Sequence, residues 1–194
     1  MLPKIVFVIA SYLLGSVPTG LLLGKALGVD IRTYGSGNIG ATNVYRALGR
    51  RVGVITLLGD CLKGLVPVLA ARWYGLPDIW VAAVGLAAFL GHIYTVFLRF
   101  KGGKGVATAL GVFLGSSPLA VLIALGVFAL ILGKWRYVSL ASITAAAAMP
   151  LIVAVIDRRP LIIIMTLLIA TLVIWKHREN IGRLKTGTEH RFKA

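Results

Sequence analysis

Long apolar runs alternate along the chain with short polar, glycine-rich or basic segments. A membrane-spanning helix needs about 20 apolar residues. The pattern predicts spans at 3–24, 52–71, 76–98, 105–116, 118–133, 138–156 and 160–175. The run at 105–116 is short, which suits a half-span, a re-entrant segment or a tilted helix. Alternatively, 105–133 is one helix kinked at Pro118.

Three basic segments decide between these readings. Residues 25–51 carry Lys25, Arg32, Arg46, Arg50 and Arg51 against Asp30. Residues 99–104 carry Arg99, Lys101 and Lys104. The tail 176–194 carries Lys176, Arg178, Arg183, Lys185, Arg191 and Lys193 against Glu179 and Glu189. Basic loops stay on the cytoplasmic side, so crossings between them must be even in number. Two and then four crossings satisfy this; fusing 105–133 would not. The expected fold is an all-α integral membrane protein with seven transmembrane helices, one short. Its N-terminus is expected outside and its C-terminus in the cytoplasm, with 1–194 forming a single multi-pass domain.

Composition supports a membrane protein. Of 194 residues, 58% are hydrophobic and only 14% charged, against about 25% charged in soluble domains. Lys and Arg number 21 and Asp and Glu 6, a net charge of +15. In so apolar a chain this excess marks topology, and no nucleic-acid partner is expected. The single Cys61 excludes an internal disulfide and a cysteine-based zinc site. No small-residue cleavage site follows the first run, which is therefore expected to be a span and not a removed signal. Small residues, among them Gly85, Gly91, the Ala145–Ala148 run and the Gly111-x-x-x-Gly115 pair, are expected to let helices approach closely.

Candidate chemistry concentrates in the motif segments 25–51, 99–108 and 176–194. Residues 32–51 read RTYGSGNIGATNVYRALGRR. Gly35-x-Gly37-x-x-Gly40 matches a dinucleotide fingerprint only formally, because a span and not a strand precedes it. Glycines still let a backbone approach an anion, and N–H groups at a helix start bind phosphate. A short helix is expected over Ala41–Leu48, carrying Arg46. Ser36, Asn38, Thr42 and Asn43 add neutral hydrogen-bonding groups. The segment Phe100–Thr108 lacks the first glycine of a Walker loop, since Leu98 stands there. Gly102, Gly103 and Gly105 flank Lys104 as an anion site would, whereas Lys101 suits the lipid headgroup level.

In the tail, His177 and Asn180 share a helix face, and Glu179 can pair with Arg183. Asp60 and Lys63 are expected to form a structural ion pair within the second span, and His92 to be a packed histidine. Ser139, Ser142 and Thr144 either bond back to their own helix or reach a ligand. A transporter or channel for a phosphorylated anion also suits basic glycine-rich loops and broken helices. A non-catalytic lipid-binding module is a third reading.

Taken together, GSGNIGATNVYRALG, DCLKG, GHIYTVFLRFKGGKGVAT and HRENIGRLKTGTE resemble the bacterial acyl-phosphate:glycerol-3-phosphate acyltransferase family across nearly the whole chain. Departures are Ile39 and Thr95, each where the family usually has Pro, and His190 after Glu189, also in place of Pro. The resemblance implies seven spans in the bacterial inner membrane, with an active site facing the cytoplasm. It implies acyl transfer from acyl phosphate to the sn-1 hydroxyl of glycerol 3-phosphate, giving lysophosphatidic acid and phosphate for phospholipid biosynthesis. No metal or cofactor is implied. Expected partners are the two substrates, membrane lipids and a soluble enzyme that supplies acyl phosphate. No G-x-S-x-G elbow is present, so no acyl-serine is expected.

Expected catalytic residues are Arg46, Lys104 and His177. Expected phosphate or substrate contacts are Ser36, Gly37, Asn38, Gly40, Thr42, Asn43, Gly102, Gly103, Ser142 and Asn180. The base is either His177, whose imidazole titrates near neutrality, or a substrate phosphate dianion, which is preferred.

Overall fold

The computed structural model describes residues 1–192, which form α-helices and connecting turns without a strand. The helices are α1 (Leu2–Ser16), α2 (Thr19–Ala26), α3 (Ala41–Trp73), α4 (Asp78–Ile93), α5 (Val106–Ser116), α6 (Pro118–Trp135), α7 (Val138–Ile156), α8 (Pro160–Lys176) and α9 (Arg178–Lys185). They group into two compact units, one covering Met1–Ser116 and the other starting at Ser117.

Among the described residues, four helices are long and apolar enough to cross a membrane, or up to six if each bent pair counts as one span. The predicted run 3–24 is not a single helix. It breaks at Val17–Pro18, where α1 and α2 meet at 41°. Proline lacks an N–H and forces the preceding residue out of the helical region; Val17 is extended, with φ −60° and ψ 115°. The short run forms α5. Its 11 residues cover roughly 16 Å at about 1.5 Å per residue, half the ~30 Å hydrocarbon core. Helices α5 and α6 are separate, so the kinked-helix alternative for 105–133 does not hold. The run 138–156 coincides with α7.

Glycine faces assemble the first unit. In α1 against α4, a Cβ on Gly15 would strike the Ala88 carbonyl, and one on Gly91 the Tyr12 carbonyl. Lys4 Nζ lies 5.8 Å from the Trp80 ring at the far end, so the two helices run parallel. Helices α3 and α5 are also parallel. A Cβ on Gly64 would strike the Thr108 carbonyl, and one on Gly111 the Cys61 carbonyl. Arg72 Nη1 caps the Gly115 carbonyl at 2.7 Å. Small residues are thus packing residues here, as expected in lipid. This arrangement gathers the 17–50 and 94–105 segments at one end of the unit and leaves 74–77 and Ser116 at the other.

In the second unit, α6, α7 and α8 run up, down and up. Met149, Pro150 and Val153 are buried along α7, whereas Ala145–Ala148 are half-buried, with Ala147 exposed. Residues 186–192 return to the start of α7. Phe192 N–H donates to the Arg136 carbonyl at 2.6 Å, and Arg191 stacks 5.6 Å from the Tyr137 ring.

Candidate active site

The glycine-rich loop of the first unit is built on four buried apolar residues, Leu21, Ile31, Ile39 and Val44, with Leu98 packed against them. Leu98 belongs to the loop that leads to Lys104, so one core supports both phosphate-like segments. Ala41–Leu48 forms the expected short helix. It is separated from the long span by Gly49, whose φ of 82° and ψ of 177° break the helix. The short helix folds back so that Tyr45 rests against Gly53, leaving no room for a Cβ there. Arg46 on this helix is exposed.

Asn43 is the internal brace of the loop. It is 2% exposed. Its Oδ1 accepts the Ser36 N–H at 3.0 Å, and its Nδ2 donates to the Ile31 carbonyl at 2.9 Å. Asn38 Oδ1 accepts the Gly40 N–H at 2.8 Å, turning the chain into the helix. Gly35 and Gly37 adopt φ of 53° and 66°, a region open to glycine without penalty. Of the residues expected to bind phosphate, Ser36 is exposed, Gly37, Asn38, Gly40 and Thr42 are half-buried, and Asn43 is inside. The first N–H groups of a helix have no partner within it, which leaves those of Ala41 and Thr42 for an anion. Arg32 is committed elsewhere. It pairs with Asp30 at 2.6 Å, and that hydrogen-bonded guanidinium holds the Asp30 carboxyl at about 2.

The Lys104 loop is strained and tightly seated. Arg99 and Phe100 both have left-handed φ, 50° and 62°, which costs about 1 kcal/mol or more per non-glycine residue. Phe100 N–H to the Thr95 carbonyl (2.9 Å) and Lys101 N–H to the Leu98 carbonyl (3.0 Å) hold the turn. Gly102 and Gly103 lie flat on His92, where any Cβ would collide with its carbonyl or its Nε2. Lys104 is half-buried and Lys101 exposed. His92 is indeed packed, 4% exposed.

In the second unit, His177 and Asn180 are buried at the α8–α9 junction, which bends by 55°. His177 Nδ1 lies 2.7 Å from the Val173 carbonyl. A carbonyl only accepts, so Nδ1 carries the hydrogen and Nε2 is the basic nitrogen of the neutral ring. Ser142 donates to the Val138 carbonyl at 2.8 Å, bonding back to its own helix. The expected Glu179–Arg183 pair gives way to another: Arg183 pairs with Glu189 at 2.7 Å. The tail folds back, and the more buried carboxylate captures the guanidinium. Glu189 Oε1 also accepts from Ser139 Oγ at 2.8 Å and Asn180 Nδ2 at 2.7 Å.

The sequence profile described as glycerol-3-phosphate acyltransferase matches residues 5–187. The chain belongs to the glycerol-3-phosphate acyltransferase family. A relative of that name from Geotalea daltonii is 72% identical, with 100% of both chains covered. One from Aquifex aeolicus is 50% identical, covering 95% of this chain and 97% of its own. The crystal structure of PlsY (YgiH), an integral membrane glycerol 3-phosphate acyltransferase, in its glycerol 3-phosphate form matches with a TM-score of 0.95 and 48% identity, over 98% of this chain and 96% of that one. Its lysophosphatidic acid form matches with a TM-score of 0.92 and 47% identity over the same shares. The acyltransferase is therefore an integral membrane enzyme of phospholipid biosynthesis, which decides against the transporter and lipid-binding readings.

Two departures from the family pattern gain a structural account in this acyltransferase. Ile39 supplies apolar volume to the loop core. Thr95 already has φ −65°, the angle a proline imposes, and adds a hydroxyl that donates to the Ser16 carbonyl at 2.6 Å. The anchoring role of Glu189 carries no local sequence signal, since Ser139 lies 50 residues away.

Burial alone would raise the Glu189 pKa, but hydrogen bonds from Asn180, Ser139 and Arg183 and the Arg183 charge outweigh it and lower the carboxyl below its usual 4.5. A lowered folded-state pKa stabilises above the unfolded value and is lost as pH falls through the folded one. Glu189→Gln is expected to remove about 2 kcal/mol at neutral pH, the range for hydrogen bonds to a charged group. The thermal midpoints of wild type and variant should converge below pH 4.5; a constant difference down to pH 3 would contradict the assignment.

Proposed function

We propose that this enzyme transfers an acyl group from acyl phosphate to the sn-1 hydroxyl of glycerol 3-phosphate, giving lysophosphatidic acid and inorganic phosphate. One observation carries the reading: the Ser36–Arg46 segment and the Lys104 loop, both glycine-rich and basic, share one supporting core at one end of the first unit. Both substrates carry phosphate, and such loops orient it and neutralise developing charge. Arg46, Lys104 and the N–H groups at the start of α3 hold phosphate. Ser36, Gly37, Asn38, Gly40, Thr42, Gly102 and Gly103 line the approach, with Asn43 setting the loop's shape. Ser142, His177 and Asn180 are the corresponding candidates in the second unit.

The glycerol hydroxyl attacks the acyl carbonyl carbon directly. The carbon–oxygen bond to phosphate breaks, phosphate leaves with the bonding electrons, and the hydroxyl proton passes to a phosphate dianion. No acyl-enzyme forms. His177 is the second candidate for the base, with Nε2 as the basic nitrogen of its neutral ring. Seven crossings in the bacterial inner membrane, with the N-terminus outside and the site facing the cytoplasm, complete the proposal.

Purified protein given radiolabelled glycerol 3-phosphate should make lysophosphatidic acid with acyl phosphate and none with acyl-CoA or acyl carrier protein. Product from acyl-CoA alone would overturn the donor assignment. If His177→Ala abolished turnover without altering substrate affinity, and a neutral-range pKa vanished from the pH profile, proton transfer to phosphate would be ruled out.

A further inference from the structure

The charged residues inside the second span have no part in the phosphate chemistry above, yet ionisable groups in a membrane are costly and tend to be functional. Asp60, Lys63 and His92 are each 5% exposed or less. Lys63 Nζ lies 2.8 Å from Asp60 Oδ1, as the expected ion pair. It also donates to the Val17 carbonyl at 2.7 Å. Val17 occupies the break between α1 and α2, where carbonyls lose their helical partners. The adjacent Ser16 carbonyl is satisfied by Thr95 Oγ1 at 2.6 Å. Two carbonyls at the break thus accept from side chains distant in sequence, and that of Val17 also accepts the Thr19 N–H at 3.0 Å.

His92, beside the ion pair, and Thr95 also hold the Lys104 loop. His92 Nδ1 lies 3.7 Å from Asp60 Oδ1, and the His92 carbonyl accepts the Gly103 N–H at 3.2 Å. Gly102 and Gly103 lie on His92 too closely for any Cβ. The Thr95 carbonyl accepts the Phe100 N–H. The loop before Lys104 is therefore strapped at two points, to Thr95, which closes the Ser16 carbonyl, and to His92, which packs beside the Asp60–Lys63 pair.

We propose that Asp60, Lys63, His92 and Thr95 are positioning residues, which fix the height and direction of the Lys104 loop by tying it to the α1–α2 break. The proposal rests on Lys104 as a phosphate ligand. A buried ion pair kept only for stability can often be replaced by apolar residues. Here an apolar pair would leave the Val17 carbonyl with only the Thr19 N–H and remove the tie from the second span to the break.

The test compares Asp60→Asn/Lys63→Met, which removes both charges together, with Lys104→Met and wild type in steady-state kinetics with glycerol 3-phosphate and acyl phosphate. The double variant is expected to raise, at least tenfold, the KM for the same substrate that Lys104→Met affects, with kcat changed less than threefold. A merely structural pair would lower the active fraction, and so the apparent kcat, without moving either KM; that result overturns the proposal. If the double variant does not fold, Thr95→Val tests the other strap. It should raise the same KM about threefold and Thr95→Ser should restore it; no change in Thr95→Val overturns the proposal. If Lys104→Met itself leaves both KM values unchanged, the phosphate-ligand reading fails and the positioning role fails with it.

Discussion

Lys104→Met is expected to lower kcat/KM for the phosphate substrates by about 10²–10³-fold, the cost of removing one preorganised donor from a site where charge develops. Lysine is a point charge with three donors, and here its loop is already ordered by Gly103, His92 and Thr95. Little reorganisation is then needed when phosphate arrives. Methionine keeps the length of the side chain and removes only the charge, so the thermal midpoint should stay near that of wild type. Lys104→Arg should recover only part of the loss, because a planar guanidinium presents its donors in a different geometry from a compact ammonium. Lys101→Met, on an exposed residue of the same loop, should lose less than threefold. Equal losses at both positions would contradict a specific site at Lys104.

Gly111→Ala is expected to be the most damaging single-methyl change for stability. The added Cβ would strike the Cys61 carbonyl, with the Leu65 nitrogen 2.8 Å away. Both obstacles are backbone, so no side chain can rotate aside and α3 and α5 must separate. Overpacking of this kind costs about 1–3 kcal/mol, and the rigid obstacle places this site at the upper end. Separation would also break the Gly64–Thr108 approach and the Arg72 cap on Gly115. The expected result is a large fall in folded protein recovered from membranes and a lower thermal midpoint. Gly126→Ala in α6, where a Cβ meets nothing within 4 Å, serves as the control. Wild-type behaviour of Gly111→Ala would show that the α3–α5 contact is looser than its geometry.

Much of this could be read along the chain because the relevant signals are local. Apolar runs of span length placed α7 at its observed bounds and α5 as a short helix. The glycine and asparagine content of 32–51 marked a shaped loop, and the helix over Ala41–Leu48 is present. Other features have no local signal. Hydropathy cannot see that Pro18 divides the first span, because the residues on both sides are equally apolar. Helical spacing offered Glu179 to Arg183, but the tail brings a better-buried carboxylate to the same guanidinium. Asn43 read as a substrate contact, whereas both ends of its amide are used within the loop.

The sequence by itself determined the membrane-protein class, most of the apolar helices, the basic segments and the family, all of which depend on residue type and spacing over short windows. Only the tertiary structure decided what those residues hold. It seated both phosphate-like segments on one core. It closed the α1–α2 break with Lys63 and Thr95 and laid Gly102 and Gly103 against His92. The physical reason is that buried polar groups and close backbone approaches must be satisfied by whichever atoms the fold brings near. Those partners lie 46 and 79 residues away along the chain, so no periodicity or motif could announce them.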